Sequence, residues 1–103
     1  MVRAGRGPRL LPRQAAPLFA ALGDETRLAI VMRLSTGGPG SITRLSTGAD
    51  VSRQAVTKHL EVLSAAGLVR SRRRGRERIW ELELERLDDV HDYLEHISRQ
   101  WDD

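Results

Sequence analysis

The sequence contains no cysteine. Disulfides, thiolate nucleophiles and sulfur-ligated zinc or iron–sulfur sites are thereby excluded, so packing must hold the chain together, shared if need be with a second subunit. Aromatic residues make up only 4% of the 103 positions, and no apolar run comes near the roughly 20 residues that a membrane-crossing helix needs. The opening stretch MVRAGRGPRLLP carries arginines but lacks the apolar core of a secretion signal. A cytoplasmic protein without membrane contact is expected. The densest glycine run, Gly37-Gly38-Pro39-Gly40, is not followed by Lys-Ser/Thr and does not form a phosphate-cradling loop. Ser, His and Asp are scattered over different elements, so the expectation is a non-enzyme with no cofactor.

What the chain does have is arginine. Sixteen of its 17 basic residues are Arg, the type whose planar fork pairs best with phosphate and with guanine edges. The net charge of +3 conceals a polarity: residues 1–78 carry 15 Lys or Arg against five Asp or Glu, whereas residues 79–103 carry two against nine. A basic body points to a polyanion, and the acidic end limits indiscriminate adhesion. At 40% hydrophobic and 30% charged, the composition fits one small domain with a single core.

The expected order is mainly α with a β-hairpin: α-α-α-α-β-β-α. Residues 1–12 mix Gly, Pro and Arg without period and read as a flexible basic arm, and residues 13–103 as the folded domain. A first helix begins near Arg13 with Leu18, Phe19 and Leu22 as its apolar stripe, and Pro17 is tolerable only near its first turn or at a bend. Asp24 caps a second helix whose Leu28, Ile30, Val31 and Leu34 point inward. A very short third helix runs from about Ser41 to Leu45. Ser52 caps the fourth, with Val51 and Val56 at hydrophobic-staple positions. Val56, Leu60 and Leu63 form its inner face, flanked by Ala55, His59 and Val62, and Gly67 ends it.

From Leu68 the period changes to two. Residues 68–72 and 78–84 flank Arg73-Arg74-Gly75-Arg76-Glu77, a hairpin connection, with Trp80, Leu82 and Leu84 on the buried side of the second strand. The last helix spaces Leu87, Val90, Leu94, Ile97 and Trp101 by 3, 4, 3 and 4 residues, a seam that suits packing along a second copy, with Leu18 of the first helix beside it.

A short helix, a turn and a capped helix with polar residues outward is a helix-turn-helix, whose second helix enters the major groove. Ser52, Arg53, Gln54, Thr57, Lys58 and His59 are the recognition-helix candidates, and Ser41, Thr43 and Arg44 the supporting ones. Arg70, Arg72, Arg73, Arg74, Arg76 and Arg78 place six guanidinium groups in nine positions, a wing for backbone phosphates or the minor groove. Double-stranded DNA is the expected partner. By residues alone, a winged helix that only docks a protein partner stays open.

Three blocks carry a resemblance: Leu22-Gly23-Asp24-Glu25-Thr26-Arg27-Leu28-Ala29-Ile30, then Val51 to Leu63 (VSRQAVTKHLEVL), then Ala66-Gly67-Leu68-Val69. Over about residues 15–103 the chain resembles the ArsR-type (ArsR/SmtB-like) winged helix-turn-helix repressors of bacteria. The resemblance implies a homodimer joined through its terminal helices that binds an inverted-repeat operator and blocks transcription. Many such proteins sense metals, but where a thiolate-bearing segment is expected this chain has Ser41-Ile42-Thr43-Arg44-Leu45. Asp89-Val90-His91 looks like half of a second family site for zinc or nickel, whose later positions fall on Asp102 and past the last residue. His91 and His96 are five apart and do not share a helical face. The closing stretch from Asp92-Tyr93-Leu94 through Arg99-Gln100-Trp101-Asp102-Asp103 resembles instead the branch without metal ligands, whose last helix carries a Trp in this region, and the effector is unknown.

Overall fold

A computed structural model describes residues 9–102, with side chains through Gln100. Residues 1–8 of the expected arm, and the side chains of Trp101 and Asp102, lie outside the described residues. The elements are α1 (Pro12–Leu22), α2 (Glu25–Gly37), β1 (Gly40–Ser41), α3 (Ile42–Ser46), α4 (Arg53–Ala65), β2 (Val69–Arg74), β3 (Glu77–Leu82) and α5 (Leu84–Asp102). Five helices with a hairpin ahead of the last reproduce the expected order. The addition is β1, which pairs antiparallel with β3 through Gly40 opposite Trp80 and Ser41 opposite Ile79. The result is a three-stranded sheet of order β1-β3-β2. Two residues bordered by helix carry no alternation, which is why the strand cannot be read from the sequence.

Helix starts follow their caps. The Asp24 carboxylate accepts the Arg27 backbone N–H at 3.0 Å, Ser41 Oγ that of Arg44 at 3.2 Å, and Ser52 Oγ that of Ala55 at 3.1 Å. Helix α1 starts at Pro12, where a missing N–H costs nothing, and Gln14 Oε1 accepts the Leu11 N–H at 2.8 Å. Pro17 consequently stands inside α1 and not near its start. Both Pro17 and Arg13 are exposed, so water can take the Arg13 carbonyl that the proline cannot serve.

The core joins Leu18, Ile30, Val31, Leu34, Leu45, Val56, Leu60, Leu63, Leu68, Val69, Trp80 and Val90. Three residues expected inward are instead exposed: Leu28, Val62 and Leu84. Leu84 opens α5 and does not extend β3. Leu28 lies two residues from Ile30 and six from Leu34, off the face they define, and Val62 is similarly turned from Leu60. The hairpin is tighter than expected: Arg74 pairs with Glu77, leaving Gly75-Arg76 as a two-residue turn. Gly75 has φ +62° and, among the described residues, no non-glycine residue has positive φ, as in a II′ turn with glycine first.

Helix α5 lies on α1, where the Phe19 and Tyr93 rings meet edge to face at 5.8 Å. Leu18 and Val90, expected on a dimer seam, are only 3% and 8% exposed and belong to the protomer's own core. They cannot line a face left open for a second copy. Leu87 is half-buried against the same core, whereas Leu94 (51%) and Ile97 (44%) project free of it.

Candidate nucleic-acid interface

The helix-turn-helix is α3, the bend over residues 47–52, and α4. Leu45 anchors α3 in the core, and Arg33 of α2 fixes the bend by donating to the carbonyls of Leu45 at 2.9 Å and Thr47 at 2.8 Å. Beyond the bend, Val56, Leu60 and Leu63 seat α4, which turns Arg53, Gln54 and Lys58 outward. Positions 53, 54, 57, 58 and 61 share one helical face. Thr57 is half-buried and its hydroxyl donates to the Arg53 carbonyl at 2.9 Å, so in this pose it offers a ligand only acceptor capacity. Ser52 is exposed but its Oγ serves as the N-cap.

His59, expected both beside the inner face of α4 and among the recognition-helix candidates, takes the first of these places. It is half-buried, and its Nδ1 accepts from Arg27 Nη1 at 3.3 Å with the Asp24 carboxylate 3.9 Å away. Acceptance at Nδ1 leaves the proton on Nε2. The ring fastens α4 to the start of α2 on the protein side, away from the Arg53–Lys58 edge, because position 59 follows the inward residues 56 and 60 and not 54 and 58. Asp24 beside it has its pKa lowered, first by the Arg27 backbone N–H that it accepts and then by the charge of Arg27, with burial opposing.

Of the supporting residues, Arg44 is exposed but engaged by the protein's own backbone. Its guanidinium donates to the carbonyls of Gly37 at 2.9 Å and Gly38 at 2.6 Å, closing the C-terminus of α2. A side chain at Gly40 would collide with that group, within 2.7 Å of Arg44 Nε. Thr43 is exposed, and Ser41 is half-buried with its Oγ used as the α3 cap. Sequence reasoning missed the roles of Arg27 and Arg33. No signal marks an arginine that caps a distant helix, because its acceptors are carbonyls that only the fold brings near.

The wing divides in two. Arg70 Nε lies 3.4 Å from Glu81 Oε1 and its Nη1 3.6 Å from Glu83, while Arg72 Nε is 3.4 Å from the same Glu81 oxygen. Arg73, Arg74, Arg76 and Arg78 have no ion-pair partner among the described residues, and all four are exposed. Arg73 and Arg78 are directly paired across the strands, a like-charge contact that folding alone disfavours. They share the sheet face that at the other end of the hairpin carries Val69 and Trp80 into the core. Only Ala66, Gly67 and Leu68 separate α4 from β2, so the wing springs from the end of the recognition helix.

The metal half-site separates in space. Asp89 is buried (3% exposed) and held by Arg86 at 3.2 Å and Arg9 at 3.4 Å, while His91, two residues on, points to solvent. Positions i and i+2 are turned well apart on a helix, and here Asp89 faces the core while His91 faces water. His91 instead stands with Asp88 and Asp92, ligand atoms within 4.8 Å of one another.

A capped recognition helix with free cations on its outer edge, followed at once by an arginine-tipped hairpin, defines a winged helix-turn-helix DNA-binding protein. A helix-turn-helix domain family matches residues 22–72. An ArsR family transcriptional regulator of known crystal structure superposes with a TM-score of 0.79 at 31% identity, covering 90% of this chain and 95% of that one. An ArsR-like regulator from Rhodococcus sp. RHA1 gives 0.76 at 41% identity, covering 87% and 84%. The arsenical resistance operon repressor of Escherichia coli is 42% identical over 67 residues, 65% of this chain but only 55% of that protein. The chain belongs to the ArsR/SmtB family of winged helix-turn-helix transcriptional repressors. It is a DNA-binding regulator and not an enzyme, and membership makes double-stranded DNA and a second copy of the chain its partners. Among the described residues no helix is long and apolar enough to cross a membrane.

Proposed function

We propose that the chain represses transcription in the cytoplasm as a two-fold homodimer on an inverted-repeat operator, with Arg53, Gln54 and Lys58 of each α4 in the major groove. The Ser52 hydroxyl, whose oxygen accepts the Ala55 N–H, keeps its proton to donate to a phosphate at the helix start, and Thr57, which donates to the Arg53 carbonyl, offers an acceptor to a base edge. Arg73, Arg74, Arg76 and Arg78 contact neighbouring backbone, and Leu94 and Ile97 of α5 meet their counterparts in the second copy. The observation that carries this reading is the sorting of cations. Arg9, Arg27, Arg33, Arg44, Arg70, Arg72 and Arg86 are engaged by carbonyls or carboxylates, whereas the recognition edge and wing tip are unpaired among the described residues. Arg13 of α1 is unpaired among them as well, but the unpaired cations gather on the recognition edge and wing tip, and such a grouping fits an external polyanion.

Selection from a random duplex pool with the purified dimer should return a repeat with half-site centres about 34–36 Å apart. On that site, Arg53→Ala or Gln54→Ala should flatten base preference at one position per half-site by about 1–3 kcal/mol. Unchanged preference in both variants would remove these residues from base readout.

A second reading has one observation in its favour. Asp88, His91 and Asp92 on α5 offer hard oxygen and imidazole donors of the kind zinc or nickel accepts, and a second copy would have to complete the shell. Metal-dependent operator release that His91→Ala abolishes would establish it, and equal operator affinity with and without zinc or nickel would dismiss it. The absence of cysteine leaves no thiolate-based sensing in this chain.

A further inference from the structure

The hairpin holds back two of its six arginines with its own carboxylates. One oxygen of Glu81 lies 3.4 Å from both Arg70 Nε and Arg72 Nε, and Glu83 adds a contact to Arg70 at 3.6 Å. The pairing follows from the register, in which Arg70 stands opposite Glu81 with Arg72 two residues further along the same face. Glu81 is half-buried and fixed in the central strand, while both guanidiniums remain more than half exposed. A guanidinium fork fits a carboxylate and a phosphate alike, so whatever occupies it excludes the other.

We infer that Glu81 acts as an internal stand-in for DNA phosphate. It occupies Arg70 and Arg72, confines the wing's backbone contacts to Arg73, Arg74, Arg76 and Arg78, and thereby limits sequence-independent affinity for duplexes in general. Phosphate contacts strengthen binding to every sequence, so withholding two per wing leaves the α4 edge a larger share of the total. This rests on the reading that the wing meets DNA.

The test is the salt dependence of binding by the intact dimer to the selected operator and to a random duplex. Glu81→Gln keeps size and removes charge. It should steepen the slope of log K against log salt by about 0.9 for each arginine recruited, equally on both duplexes. Glu81→Asp, whose shorter side chain withdraws from both Nε atoms, should shift the slope in the same direction by less. Exchanging Arg70 and Arg72 together for Ala should change the slope little beside an intact Glu81, but should cancel the gain in the Glu81→Gln background. Glu85→Gln removes a nearby exposed charge that holds no wing arginine and should leave the slope nearly as it was. The inference is overturned if Glu81→Gln changes the slope no more than Glu85→Gln. It is equally overturned if losing Arg70 and Arg72 costs the same in both backgrounds. Replacing Arg73, Arg74 and Arg76 with Ala separates the two levels: a lowered slope with a silent Glu81→Gln defeats the Glu81 inference alone, and an unchanged slope defeats the wing contact and the inference together.

Discussion

Arg27 ties three helices together, and its removal should be felt in stability more than in DNA contact. Its Nε donates to the Ala21 carbonyl at 2.7 Å, its Nη2 reaches the Ala20 carbonyl at 3.5 Å, and its Nη1 meets His59 Nδ1 at 3.3 Å. The first is a short charge-assisted bond that also answers the negative end of α1, of the kind worth about 1.5–3 kcal/mol. The bond to His59 is long and adds about 0.5–1 kcal/mol, and the one to Ala20 is at the limit of length and is set at zero. Half-exposure lets water replace part of the loss, so Arg27→Ala should cost about 2–3 kcal/mol, or roughly 10–20 °C in melting temperature for a domain of this size. Arg27→Lys keeps one point charge but not the fork and should cost about half as much. His59→Ala should cost about 0.5–1.5 kcal/mol and leave the salt slope of DNA binding untouched. Thermal and urea unfolding at one fixed protein concentration provide the readout, since dimerisation makes stability concentration-dependent. If His59→Ala left stability unchanged but lowered the salt slope by about 0.9, His59 would be a phosphate ligand and not a tie between α4 and α2.

Three further outcomes follow from the geometry. Leu94→Glu combined with Ile97→Glu puts charges on the open face of α5 and should yield monomers in sedimentation with loss of tight operator binding; a persistent dimer would place the interface elsewhere. Leu60→Ala empties a fully buried position behind the recognition edge and should destabilise by about 2–5 kcal/mol in urea unfolding, with a loss below 1 kcal/mol contradicting the packing. Asp24 is depressed in the folded state, so its contribution is present above the unfolded value of about 3.9 and is lost as pH falls through the lower folded value. Stability measured from pH 5 down to pH 3 should therefore fall less steeply in Asp24→Asn than in the parent chain, and parallel curves would deny the shift.

Much of the fold was legible because local chemistry fixed it. Asp24, Ser41 and Ser52 are side chains whose oxygens can serve the first free N–H groups of a helix, and each does so where the sequence placed it. Gly75 marks the hairpin turn for the equally local reason that a positive φ excludes a side chain. The strand β1 was hidden because two residues have no period, and Leu18 and Val90 were misassigned because an apolar stripe does not say which neighbour covers it. In α5 the half near Leu87 and Val90 lies on its own core, and the half near Leu94 and Ile97 runs past it.

The arginines show most clearly where sequence stops. A tally of basic residues treats Arg27, Arg33, Arg44, Arg53 and Arg73 as equal contributions to a basic surface. In the fold, the first three close the C-termini of α1, α3 and α2 in turn, each guanidinium lying on carbonyls that have lost their helical partners. Arg53 and Arg73 have no such partners among the described residues. The first kind spends its charge on a helix dipole and projects little field, whereas the second keeps it for a ligand. One part of this sorting could have been read in advance. A two-residue turn at Gly75-Arg76 forces Arg70 opposite Glu81, so the acidic residues that look like the wet side of a strand are also the ones that occupy the base of the wing. Net charge therefore overstates the DNA-facing surface of this chain, and the cations that matter are those for which the protein has provided no anion of its own.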